Sequence, residues 1–143
     1  MTLNELSQYY KLTQYIKTLE VEITELETRA YGVGASSSDG AGGHSGGISD
    51  KTGLYAVRLV DKLDRLCKTR FECEQQRDAI YAYINITVAQ DDKLIAAIMY
   101  WRFIQQKTWN EVAWRVGGNN NSDSVKKICL RYIRKKNLSQ MSR

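Results

Sequence analysis

The chain has 143 residues, 43% of them apolar, a formal net charge of +5, and no proline. That length holds one modest domain or a small domain with a long arm, and the apolar content excludes a disordered composition. No run of 18 apolar residues is present and the N-terminus is polar, so neither a membrane-spanning helix nor a secretory signal is expected.

The charge is unevenly spread. Residues 1–31 carry three basic and five acidic groups, net −2, and residues 32–53 carry one and two, net −1. Residues 54–90 carry six and five, net +1, and residues 91–143 carry eleven and four, net +7. A basic block at one end of an otherwise balanced chain points to a polyanionic partner. The plain alternative is a solubilising tail.

The first segment, from about Leu3 to Ala30, places Leu12, Ile16, Leu19, Ile23, Leu26 and Ala30 at alternating spacings of 4 and 3. That is a heptad seam, and it predicts a helix about 40 Å long that needs a partner helix. Glu20, Glu22, Glu25 and Glu27 lie between the apolar positions. Residues 32–53 then hold eight of the ten glycines, several serines and the sole histidine, His44. Such a composition cannot offset chain entropy and reads as a flexible loop.

A second long helix is expected from near Asp50 to about Val88. Its seam reads Ala56, Leu59, Leu63, Leu66, Arg70, Cys73, Arg77, Ile80 and Ile84, with two arginines interrupting it. Those arginines would snorkel, pair with the acidic first helix, or set the register. The two helices would form a coiled-coil-like hairpin, closed within one chain or paired into a homodimer or higher oligomer.

Asp91 and Asp92 are placed to cap a third helix over about 91–106. Thr108-Trp109-Asn110-Glu111 then reads as a capping box opening a short helix, 109–116, which Gly117 and Gly118 end. Asn119, Asn120 and Asn121 extend the turn. A last helix opens at Ser122 or Asp123 and runs to about Lys136.

The spacing within 108–133 is that of a helix-turn-helix. Ala113 is the small residue that admits close packing, and Gly117, four residues on, makes the turn. Val125, Ile128, Cys129 and Tyr132 form the inward face of the last helix, so Thr108, Trp109, Glu111, Ala113, Gly117, Val125, Ile128 and Tyr132 are the expected frame. Ser122, Asp123, Ser124 and Lys127 are candidates for reading base edges, because the N-terminal residues of a recognition helix reach the groove. Lys126, Arg131, Arg134, Lys135 and Lys136 are candidates for phosphate contacts. Trp101, Trp109 and Trp114 are expected to be core residues in at least two cases. The turn is about two residues longer than the tightest form of the motif.

At this point the chain resembles the RinA/ArpU-type transcriptional regulators of phages and prophages, whose C-terminal end is similar to the promoter-reading helix-turn-helix of sigma factors. The resemblance rests on Arg102-Phe103, on Thr108-Trp109-Asn110-Glu111-Val112-Ala113, on Gly117, and on Val125 with Arg131. It implies an activator of late genes acting in the cytoplasm of a bacterial host, with double-stranded DNA and RNA polymerase as partners. The asparagine-rich turn is longer than the family pattern.

The expected organisation is therefore all-α: a long N-terminal helix (1–31), a Gly/Ser-rich loop (32–53), a second long helix (54–90), a helix-turn-helix domain (91–136) and a frayed tail (137–143). No enzymatic activity, cofactor, metal or small-molecule substrate is expected. The sole histidine lies in the glycine loop, and that loop lacks a Gly-Lys-Ser or Gly-Lys-Thr ending. Cys67, Cys73 and Cys129, an odd number without metal-ligand spacing, fit free thiols. Asp50-Lys51-Thr52-Gly53 and Asn85-Ile86-Thr87 match short motifs whose surroundings are lacking. Two alternatives remain: a DNA-packaging recognition subunit of small-terminase type, and a helical protein that binds RNA polymerase or another host protein.

Overall fold

The computed structural model describes residues 1–31 and 50–142 and is all-helical, with no strand among the described residues. Among the described residues, five helices follow one another. Helix α1 is Leu3–Tyr31. Helix α2 is Asp50–Tyr83, continued by a π-helical segment, Ile84–Val88, and a last α turn, Ala89–Asp91. Helix α3 is Lys93–Met99, continued by a second π-helical segment, Tyr100–Ile104. Helices α4 (Trp109–Val116) and α5 (Ser122–Met141) complete the chain. No described helix is long and apolar enough to cross a membrane. The loop expected over 32–53 lies outside the described residues as far as residue 49.

The chain divides into two compact units, Gln14–Phe71 and a second formed by Met1–Thr13 with Glu72–Arg143. In the first unit Leu19, Ile23, Leu59 and Leu66 form the core, with Ile16 and Leu26 packed against it. Glu22 pairs with Lys62, and Glu20 pairs with Arg70 at 2.8 Å. The earlier glutamate meets the later cation, so the two helical segments run antiparallel there.

The register of α2 differs from the sequence expectation. Leu59, Leu66, Cys73 and Ile80 are buried as expected, but Ala56, Leu63, Arg70 and Arg77 are exposed. Lys62, Thr69, Gln76 and Tyr83 occupy the alternating positions instead. The reason is visible one and two heptads on. The Leu63 register would bring the Arg70 and Arg77 guanidiniums inward, and desolvating two charges costs more than burying one leucine returns, whereas the partly exposed Lys62 keeps its Glu22 partner. The Lys62 register brings in Thr69, whose hydroxyl bonds back to the Arg65 carbonyl at 2.8 Å.

The second unit holds the larger core. Leu6, Ile80, Ile84, Val88, Ile98, Met99, Val112, Val125, Cys129 and Ile133 are all at most 2% exposed and belong to one cluster. The start of α1 is thus part of this unit. Thr2 and Glu5 cap it reciprocally, the Thr2 N–H donating to the Glu5 carboxylate at 2.6 Å and the Glu5 N–H to the Thr2 hydroxyl at 3.3 Å. Further along, Gln106 holds a left-handed backbone (φ 55°) and its side-chain amide donates to the Thr13 hydroxyl at 3.1 Å.

Asp92, not Asp91, caps α3, its carboxylate accepting from the Leu94 and Ile95 N–H groups at 2.8 and 3.2 Å. The last helix continues to Met141, past the expected end at Lys136. Residues 137–141 contain no glycine or proline to stop it, so the helical register carries on.

Candidate nucleic-acid interface

Helix α4 is built by the reciprocal cap foreseen in the sequence. The Glu111 N–H donates to the Thr108 hydroxyl at 3.3 Å, and the Thr108 N–H donates to the Glu111 carboxylate at 2.8 Å. The cap holds the Glu111 carboxyl below its ordinary range, through the Thr108 backbone bond first and the Thr108 hydroxyl second. Val112 and Ala113 are buried, and Trp109 and Val116 are half-buried against the same core. Arg102 supports this turn from below. Its guanidinium lies 4.9 Å from the Trp109 ring centre and donates to the Lys107 carbonyl at 2.7 Å.

The turn runs from Gly117 to Asn121. Gly117 (φ 72°, ψ −165°) sits where L side chains are strained, and its N–H closes α4 on the Ala113 carbonyl at 3.1 Å. Gly118 follows at φ 71°. The asparagines have separate uses. The Asn120 amide donates to the Gly117 carbonyl at 3.0 Å, and the Asn121 side-chain oxygen caps α5 by accepting from the Ser124 N–H at 2.7 Å. The length of the turn is thus structural, since each of these bonds satisfies a backbone group near a helix end.

On α5, Val125, Cys129 and Ile133 form the buried stripe, with Ile128 and Tyr132 half-buried beside it. Burial pushes the Cys129 thiol up to about 12, so it stays a neutral packing group. Lys126, Lys127, Arg131, Arg134 and Lys135 are all exposed, and none pairs with a carboxylate among the described residues. Lys127, Arg131 and Arg134 follow at spacings of 4 and 3, which sets them on one face around a shallow recess that Leu130 floors. Asp123 is exposed at the start of the helix, with Ser122 and Ser124 half-buried.

Lys136 stands apart from the other cations. Its ammonium pairs with Asp91 at 2.6 Å, and the Tyr132 hydroxyl donates to the same carboxylate at 2.6 Å. These bonds, Lys136 first, hold the Asp91 carboxyl below its ordinary range. Lys136 therefore ties α5 to the end of α2, whereas the phosphate-contact expectation placed it with the outward cations. Nothing in the local spacing of 122–136 identifies Asp91 as its partner, forty-five residues earlier.

Among the tryptophans, Trp101 and Trp109 pack against the core as expected, while Trp114 is 80% exposed. The Arg115 guanidinium lies 4.5 Å from the Trp101 ring centre and 6.0 Å from that of Trp114. Among the described residues, no group of three or more His, Cys, Asp or Glu is placed to hold a metal ion; His44 lies outside them. Comparison with known proteins finds no matching family model, no similar curated protein and no similar solved structure.

Proposed function

We propose that the chain is a phage-type, sequence-specific DNA-binding transcription regulator, an activator of late genes, in which α4, the Gly117–Asn121 turn and α5 act as a sigma-like helix-turn-helix. The observation that carries this reading is the two-sided character of α5. One face is fixed in a core by Val125, Cys129 and Ile133, and the other offers exposed cations without carboxylate partners among the described residues. A helix held rigidly on one side and cationic on the other suits the major groove.

Ser122, Asp123, Ser124 and Lys127, at the start of α5, would meet base edges. Lys126, Arg131, Arg134 and Lys135 would meet phosphates, with Lys136 engaged by Asp91 instead. The antiparallel segments of α1 and α2 would serve as a coiled-coil-like arm for self-association or for RNA polymerase. The RinA/ArpU resemblance supports the transcriptional role.

Selection from a random duplex library tests this reading. The wild-type chain should enrich a defined sequence, and Lys127→Ala should change which sequence is enriched. Arg134→Ala should weaken all duplexes alike. Enrichment of no sequence, with binding equal for every duplex, would remove the promoter-reading role.

A further inference from the structure

A groove of about 650 Å³ runs between residues 91–95, at the start of α3, and residues 128–139 of α5. Its floor is apolar, made by Ile95 and Ile128. Four charged groups besides Lys136 stand around it: Asp91, Asp92, Arg131 and Lys135.

The two carboxylates are already engaged. Asp92 accepts two N–H groups at the start of α3, and Asp91 accepts from Tyr132 and Lys136. That leaves Arg131 and Lys135 without a carboxylate partner among the described residues. They stand four residues apart on α5 and so on the same face.

A bare phosphate has no use for an apolar floor, and a neutral apolar molecule has none for two cations. We infer that this groove binds an organic carboxylate with an apolar body, an aromatic acid or an acyl chain, its carboxylate on Arg131 and Lys135 and its body over Ile95 and Ile128. The volume lies within the range of small-molecule sites, roughly 300–1,000 Å³. Arg131 offers a planar fork that matches a carboxylate, and Lys135 adds a point charge.

The site has a regulatory consequence, which rests on the DNA-binding reading. Arg131 and Lys135 are two of the cations assigned to phosphates. A carboxylate seated on them withdraws both from DNA, so ligand and duplex compete. The groove itself does not depend on that reading.

Calorimetric titration of the full chain with decanoate tests the groove directly. The expected result is saturable binding at one site per chain, weakened about tenfold in Lys135→Ala and further in Arg131→Ala/Lys135→Ala, as for a charged hydrogen-bond partner. Lys17→Ala, a lost cation elsewhere, should leave it unchanged. Inorganic phosphate at the same concentration should not displace decanoate. Absence of saturable binding, equal affinity in the double variant, or full displacement by phosphate overturns the inference. Both variants remove exposed side chains, so the fold is retained. Titration without DNA decides the groove even where no duplex binds. With a bound duplex, decanoate should raise the apparent Kd for DNA, and an unchanged Kd at decanoate saturation overturns the regulatory coupling.

Discussion

Leu6→Ala measures how far the first turns of α1 belong to the basic unit. Leu6 is 1% exposed and sits in one core with Ile80, Ile98, Val112 and Cys129. The substitution removes three carbon groups, worth about 2.4 kcal/mol at about 0.8 kcal/mol per buried methylene. The cavity left behind raises the expected loss to about 3 kcal/mol, inside the range of roughly 2–5 kcal/mol for buried leucines. For a unit of this size, about 4–8 °C per kcal/mol gives a fall in Tm of about 12–24 °C. Tryptophan fluorescence is the suitable assay, because Trp101, Trp109 and Trp114 all lie in this unit and report nothing from Gln14–Phe71. Leu3→Ala is the control, since Leu3 is 43% exposed and should shift stability by less than about 0.5 kcal/mol. A loss below about 1 kcal/mol for Leu6→Ala would refute the placement of α1 in this core.

Four further outcomes follow from the local chemistry. Thr108→Ala removes the N-cap of α4 and should cost about 1 kcal/mol in a denaturant melt. The Glu111 and Glu5 carboxyls are held low by their capping bonds, so each stabilises the folded chain above the ordinary glutamate pKa of about 4.3, an effect lost as pH falls through the lowered values. Tm should accordingly stay level down to about pH 5 and decline below about pH 4, and Glu111→Gln should make that decline shallower. Gly117→Ala meets no neighbour within 4 Å, so its whole cost is backbone strain at φ 72°, about 1–3 kcal/mol, and a wild-type melt would contradict it. The Tyr83 hydroxyl is buried with no hydrogen-bond partner among the described residues, so Tyr83→Phe should leave stability unchanged or raise it by up to about 1 kcal/mol, read by the same melt.

The features legible in the sequence are those whose determinants lie close together along the chain. The Thr108–Glu111 cap, the Gly117 stop and the inward spacing of Val125 and Cys129 each depend on residues within one or two turns. Thr2-Leu3-Asn4-Glu5 has the same capping pattern, an equally local signal for the start of α1. The Asn121 cap was hidden among three asparagines, any of which fits the role chemically. What escaped the sequence is long-range. Leu6 belongs to a core built mostly seventy or more residues later, and Asp91 reaches Tyr132 and Lys136 across the fold. The α2 register was a choice between Leu63 and Lys62 that hydrophobicity alone decides wrongly. It turns on where Arg70 and Arg77 would go, which a count of apolar positions does not weigh. The exposure of Trp114 follows from the rotation of α4 that buries Val112 and Ala113, two positions back and one.

The central claim is that the outward cations of α5 contact DNA phosphates. Its most direct measure is the salt dependence of duplex binding, followed by fluorescence anisotropy of a labelled duplex with the full chain from about 50 to 200 mM salt. Four phosphate contacts, from Lys126, Arg131, Arg134 and Lys135, predict a log–log slope of about −3.6, and Arg131→Ala/Arg134→Ala should flatten it by about 2. Absence of duplex binding at about 50 mM salt, or an identical slope in the double variant, would contradict the account.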